Sequence, residues 1–208
     1  MSKKLKTEDI SKHVRQLFFE NQKDFLIYHN LAHTEQVVTH STEIAAYYEL
    51  TDIQSMALYA AAWFHDTGHL LNAMQGHEEI SKLLLKEFLE TKNIDPEFIG
   101  LCSACILSTK MPVKPVSLIE KILCDADTYH LGTPDFWRVD KLVWDELEIR
   151  SGEKVNNRLE KSLSFLEKHV FYTEYCQSIL NQGKDTNIRI LKERINNSHD
   201  QDTRADIV

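Results

Sequence analysis

From Met56 to Phe64 every residue is apolar, as in a helix buried on all sides, and the run continues without a break into His65 and Asp66. An acidic side chain there must be exposed, paired or bound to a metal, because an isolated buried charge is too costly to keep. The metal option engages both neighbours, since neutral imidazole and carboxylate are each good ligands for a divalent first-row cation. A chain built around such a helix then has to bring further ligands from other segments.

Helical periodicity runs through the rest of the sequence. Thr7 to Phe25 places Ile10, Val14, Leu17, Phe18 and Phe25 at three-and-four spacing, and a second helix is expected from Tyr28 to about Leu50. Thr51-Asp52-Ile53-Gln54 and Ser117-Leu118-Ile119-Glu120 have capping-box form, and Asp95-Pro96 is a favoured helix start. Leu70 to Gly76 reads as a loop. The helix from His77 to Lys92 is expected to turn Ile80, Leu83, Leu84, Phe88 and Leu89 inward, and three more helices are expected over 135–149, 153–169 and 173–195, with Gly183 a candidate kink. No alternating strand pattern and no repeat emerges, so the expected class is all-α.

Composition narrows the function. The chain has 208 residues, and 24 Lys and Arg against 32 Asp and Glu give a formal charge of −8, which offers no general attraction to nucleic-acid polymers or anionic membranes. With no apolar span of membrane length and no signal-peptide pattern in Met1-Ser2-Lys3-Lys4-Leu5-Lys6, a cytoplasmic protein is expected. Cys102, Cys105, Cys124 and Cys176 are too few for a disulfide framework, and the Cys102–Cys105 pair lacks the second pair of a structural zinc site. They read as small, reduced core residues.

Ligand-type residues occur in four segments: His29 with His33, His65-Asp66 with His69, His77, and Asp125 with Asp127. His29 and His33 are spaced to share one helix face, as are His65 and His69, and a helical bundle can converge such faces on one metal.

The order His33, His65-Asp66, Asp127 resembles the H…HD…D signature of the HD-domain metal-dependent phosphohydrolases. The segment Tyr28-His29-Asn30-Leu31-Ala32-His33-Thr34-Glu35-Gln36-Val37 is similar to the Y-H-N-x-x-H-x-x-x-V motif of cyclic-nucleotide phosphodiesterases, distant members of that superfamily. Asp125-Ala126-Asp127-Thr128-Tyr129-His130-Leu131-Gly132 and Trp63-Phe64-His65-Asp66 are similar to motifs of small bacterial-type HD phosphohydrolases. The resemblance implies an HD-domain helical bundle with its core over 28–132, residues 1–27 packing on it, 133–196 completing the same domain, and a frayed tail over 197–208.

The same resemblance implies a divalent cation (Mn, Fe, Co, Ni, Zn or Mg) on His33, His65, Asp66 and Asp127, with His29 as proton donor. His69 matches the second histidine of an H-D-x-D-H pattern, with Thr67-Gly68 in place of the intervening residues, which makes it a reserve donor. Asp125 and Asp127 cannot point the same way, since two helical residues rotate by about 200°. Asp127 is assigned as the ligand and Asp125 as its support, with the reverse still open. His77, in Gly76-His77-Glu78-Glu79, is similar to an extra histidine ligand of two-metal members such as the HD-GYP proteins, but their next histidine has no counterpart between Cys105 and Lys110. Candidate phosphate contacts are Lys110, Lys114 and Arg138, and Trp137 or Tyr129 could stack on a base.

The implied activity is hydrolysis of a phosphoester or phosphoanhydride bond in a small phosphorylated molecule, a nucleotide by preference, with Asp66 orienting a water activated by the metal. Cyclic-nucleotide phosphodiesterase activity is the alternative reaction. A non-catalytic sensor binding metal and nucleotide is the alternative outside enzymes. Nothing in the sequence sets the oligomeric state.

Overall fold

The computed structural model describes residues 5–21, 23–71 and 73–205, with side chains as far as residue 197. The described residues form nine α-helices and two short 3-10 helices, and no strand, as expected of an all-α protein. None of these helices is long and apolar enough to cross a membrane. Residues 1–4, read above for a targeting signal, and the last three residues of the expected tail lie outside the described residues; the backbone is helical as far as Ala205.

Six helices belong to a unit that ends at Thr128: α1 (Thr7–Asn21), α2 (Leu31–Ala45), α3 (Asp52–Phe64), α4 (His77–Thr91), α5 (Pro96–Ser108) and α6 (Leu118–Asp127). The apolar run is its centre, with α3 packing against each of the other five helices. Small side chains allow this: Ala57, Ala60, Ala61 and Ala62 are fully buried on several sides of α3 and let neighbouring helices approach closely. Larger buried groups such as Phe64, Leu85 and Ile106 fill the spaces between, each stabilising by about 2 kcal/mol through apolar burial.

The expected caps form. Thr51 Oγ1 accepts from the Gln54 backbone N–H at 3.2 Å while the Gln54 side chain accepts from the Thr51 N–H at 3.0 Å, and Asp95 caps α5 ahead of Pro96 by accepting from the Glu97 N–H. The four cysteines are buried and unpaired with one another; burial pushes the thiols of Cys102 and Cys124 up to about 12, so they are inert core groups.

Three local expectations are corrected. The second helix starts at Leu31 rather than Tyr28, because Asn30 caps it. Part of the loop expected over 70–76 belongs to a 3-10 helix, Thr67–Leu71, whereas Asn72 lies outside the described residues. The inner face of α4 is Glu78, Ser81, Leu85, Phe88 and Leu89, while Leu83 is exposed. Two polar groups hold this register. Ser81 Oγ accepts the Gly68 N–H at 2.8 Å, and Gly68 lies so close to α4 that an added Cβ would stand 2.1 Å from the His77 carbonyl oxygen.

A second unit begins at Tyr129 and contains α7 (Phe136–Ser151), α8 (Arg158–Lys168) and α9 (Glu174–Ala205), preceded by a 3-10 helix at Tyr129–Gly132. Gly183 does not break α9. It permits contact instead: a Cβ there would lie 1.9 Å from the Gly132 carbonyl oxygen, and the adjoining Asn187 amide donates to the carbonyls of Leu131 and Thr133 at 3.0 Å each. Trp144 donates to Ser162, which donates to Asp140, tying α7 to α8. Trp137 lies under the Arg194 guanidinium at 3.9 Å.

Burial, reinforced by the charges of Lys184 and His130, pushes His169 down to about 4. Its folded value lies below its ordinary one, so the stability it contributes is complete above pH 6.5 and is lost as pH falls through 4. His169→Phe should therefore reduce the fall in unfolding free energy between pH 7 and pH 5 by about 2 kcal/mol, measured by urea denaturation at each pH.

Candidate metal centre

Each site residue is placed by a local feature of the chain. Asn30 adopts extended backbone, its side-chain oxygen accepts the His33 N–H at 3.1 Å, and its amide donates to the Ile27 carbonyl at 2.9 Å. His33 therefore lies in the first turn of α2, buried, while His29 falls in the turn before the cap and shares no helix face with it. Tyr28 packs against both rings, with centroids 4.5 Å from His33 and 4.7 Å from His29. His65 is the C-cap of α3, Asp66 follows it, and Asp127 closes α6.

His65 is fully enclosed, and its Nδ1 lies 2.8 Å from the Ala62 carbonyl. A carbonyl only accepts, so Nδ1 carries the proton and the neutral ring turns the lone pair of Nε2 inward. That atom lies 3.3 Å from Asp66 Oδ2 and 3.6 Å from Asp127 Oδ1, and His33 Nε2 lies 3.3 Å and 3.1 Å from the same two oxygens. Ligand atoms of His33, His65, Asp66 and Asp127 are all within 4.8 Å of one another. Asp127 keeps 26% of its side chain exposed, so the cluster is open on one side.

Two imidazole lone pairs facing two carboxylates repel unless a proton or a cation lies between them. Both buried Nε2 atoms lack a hydrogen-bond partner. Burial opposes charge on His33 and His65, yet the carboxylates of Asp66 and Asp127 outweigh it and raise both imidazoles, His65 strongly. Conversely, desolvation raises the two carboxylates and the histidines outweigh it, holding Asp66 and Asp127 well below the usual range. Two orphaned nitrogens and two carboxylate oxygens converging on one point fit a divalent cation, for which this is a complete set of four protein ligands.

Asp66 faces two ways. Its Oδ2 addresses His33 and His65, while its Oδ1 lies 3.5 Å from His77 Nε2 and 4.0 Å from His69 Nε2. His29, Asp66 and His69 form a second group with ligand atoms within 4.8 Å of one another, and the His69 ring lies between those of His29 and His77, with centroids 4.1 Å and 3.8 Å away. His69 arrives here on the 3-10 helix rather than on a continued α3. Burial opposes charge on His77, but Asp66 and then Glu78 raise it.

Asp125 is fully buried in α6 and belongs to neither group, in keeping with the rotation that separates it from Asp127. Lys110 lies 3.9 Å from Glu79, both half exposed. Arg138 pairs with Asp135 in the second unit, and Lys114 lies in the loop before α6. Sequence reasoning passed over Glu78, a buried carboxylate with Oε1 3.6 Å from His77 Nε2 and Oε2 without a hydrogen-bond partner. Its signal is its place beside His77 in the sequence, but the expected inner face of α4 did not include it.

Residues 30–132 match the family model of the HD domain, a stretch that includes His33, His65, Asp66 and Asp127 and begins one residue after His29. The chain belongs to the HD-domain proteins through that segment. It is also similar to the crystal structure of a "predicted HD superfamily hydrolase" from an uncultured Thermotogales bacterium, with 22% identity, a TM-score of 0.59 and 91% of each chain covered, a likeness of fold. No curated protein sequence matches the chain.

Proposed function

We propose that this protein is a divalent-metal-dependent phosphohydrolase that cleaves a phosphoester or phosphoanhydride bond in a small phosphorylated molecule, a nucleotide by preference, in the cytoplasm. The observation that carries the reading is the pair of buried, unpartnered Nε2 atoms of His33 and His65 facing Asp66 and Asp127. HD-domain membership and the "hydrolase" in the name of the Thermotogales protein support it.

His33, His65, Asp66 and Asp127 would hold the cation. Bound there, it would supply a Lewis acid that lowers the pKa of water, so that hydroxide is available as a nucleophile near neutral pH. Asp66 would orient the attacking water with its second oxygen, which lies on the side of His77 and His69. His29 holds a proton for the departing oxygen: it sits on the turn before the cap, with its ring centroid 4.1 Å from that of His69. His69, whose ring is tilted against that of His29 and stacked on that of His77, is the alternative donor, and His77 with Asp66 would help hold a second ion. Lys110, at the exposed start of the loop before α6, is the first candidate to meet substrate phosphate.

The test is a panel of nucleoside mono-, di- and triphosphates, cyclic nucleotides and sugar phosphates, each assayed with Mn²⁺, Co²⁺ or Mg²⁺ and with chelator. Metal-dependent release of phosphate or a nucleotide product supports the reading, and turnover confined to cyclic nucleotides moves it to the phosphodiesterase alternative. Tight nucleotide binding with no turnover of any compound would make the protein a sensor. His29→Gln should keep its metal and lose about 10²- to 10⁴-fold in kcat on substrates with an alkoxide leaving group, but far less on p-nitrophenyl phosphate, whose leaving group needs no proton. Equal losses on both substrates would remove His29 as the acid.

A further inference from the structure

A cavity of about 820 Å³ lies in the first unit, away from the metal ligands. Its walls come from the C-terminal half of α2, the turn that follows, the first two turns of α3 and the start of α5, with Ala45, Leu50, Met56 and Phe98 among the apolar groups. Ser41 and His33 are both on α2, eight residues or about 12 Å apart along the axis, so the cavity and the metal centre share a helix but no lining residue.

Ser41 is the telling residue. It is 1% exposed, lines the cavity, and its hydroxyl has no hydrogen-bond partner. A helical serine or threonine normally bonds the carbonyl one turn back, as its α2 neighbours Thr34, Thr39 and Thr42 all do, at 3.3, 2.8 and 2.8 Å. A buried hydroxyl that forgoes this bond beside an apolar cavity marks a place where a ligand group can complete it. Charge narrows the ligand further. The charged side chains in the wall are Asp52 and Asp95, and no lysine, arginine or histidine is among the described lining residues. Such a wall repels an anion and tolerates a neutral or positive molecule, and the volume suits a small molecule of ordinary ligand size.

We propose that this cavity is a second ligand site, separate from the metal centre, for a small, mainly apolar molecule that is neutral or cationic and carries one hydrogen-bonding group for Ser41. The site stands on its own lining and does not depend on the phosphohydrolase reading.

The experiment is a fluorescence titration of the full chain with the neutral apolar probe N-phenyl-1-naphthylamine, followed by displacement with 1-octanol, octyltrimethylammonium or octanoate at pH 7.5. Saturable one-to-one binding is expected, with octanol and octyltrimethylammonium displacing the probe at concentrations at least tenfold below octanoate. Ala45→Trp, which fills the cavity from α2, should abolish probe binding and leave metal content and helical circular dichroism unchanged. Met56→Trp fills it from α3 and serves if the first variant does not fold. Ser41→Ala should weaken octanol about fivefold through loss of one hydrogen bond. The proposal is overturned if the probe does not bind, if it binds both folded tryptophan variants as tightly as the parent, or if octanoate competes as well as octyltrimethylammonium. A dimer that dissociates in Ala45→Trp, with no probe binding to the parent, would show instead that a second copy of the chain fills the space.

Discussion

Asp66→Ala is expected to lower metal-dependent turnover by at least about three orders of magnitude and to remove the rise in melting temperature that added metal gives the parent protein. Among the described residues, Asp66 is the one that belongs to both ligand groups. Its Oδ2 completes the four-ligand group with His33, His65 and Asp127, and its Oδ1 faces His69 and His77. Removing it subtracts a ligand and also the negative charge that, with Asp127, makes the centre attractive to a cation. The metal-free protein should suffer less, because the raised values of His33, His65 and His77 arise in part from this same carboxylate and relax without it. Differential scanning fluorimetry with and without Mn²⁺ separates these effects: the parent shifts upward with metal, and Asp66→Ala does not. A variant that shifted as far as the parent would show that the cation binds elsewhere.

Gly68→Ala should be among the most destabilising methyl additions in the chain, at about 3 kcal/mol or more. The reason is backbone against backbone. A Cβ at this position stands 2.1 Å from the His77 carbonyl oxygen, and neither partner is a flexible side chain that can turn aside. Relief requires the 3-10 helix to move off α4, which lengthens the Gly68 N–H to Ser81 Oγ bond and displaces His69 relative to His77. Stability and function should fall together. Ser81→Ala gives the scale, since it removes the hydrogen bond without a collision and should cost about 1–2 kcal/mol. Urea denaturation of both variants checks the ranking, and a Gly68→Ala midpoint equal to the parent's would contradict the close approach.

Much of this was legible in the sequence because helices announce themselves. The run from Met56 to Phe64 could only be a buried helix, and Thr51, Asp95 and Ser117 mark helix starts through side chains that satisfy the first backbone N–H groups. The separation of Asp125 from Asp127 followed from helical rotation alone, and Asp127 does face His33 and His65. What could not be read were the consequences of single polar bonds. Asn30 is a competent helix residue by pattern, but once its side chain accepts the His33 N–H it ends the helix there and leaves His29 on a turn. In α4, Leu83 was expected to face inward, and Glu78 was not among the inward residues. The register goes the other way because Ser81 answers Gly68 and Glu78 lies beside His77, contacts that exist only after the fold has formed. The reach of Asp66 toward both histidine groups is of the same kind.

The most direct measurement is anomalous X-ray scattering from a crystal of the protein soaked in Mn²⁺, with data collected on either side of the manganese edge. The account predicts a peak bonded to His33 Nε2, His65 Nε2 and one oxygen each of Asp66 and Asp127. A crystal saturated with Mn²⁺ that shows no peak among those four atoms, or shows its strongest peak on other residues, would contradict it.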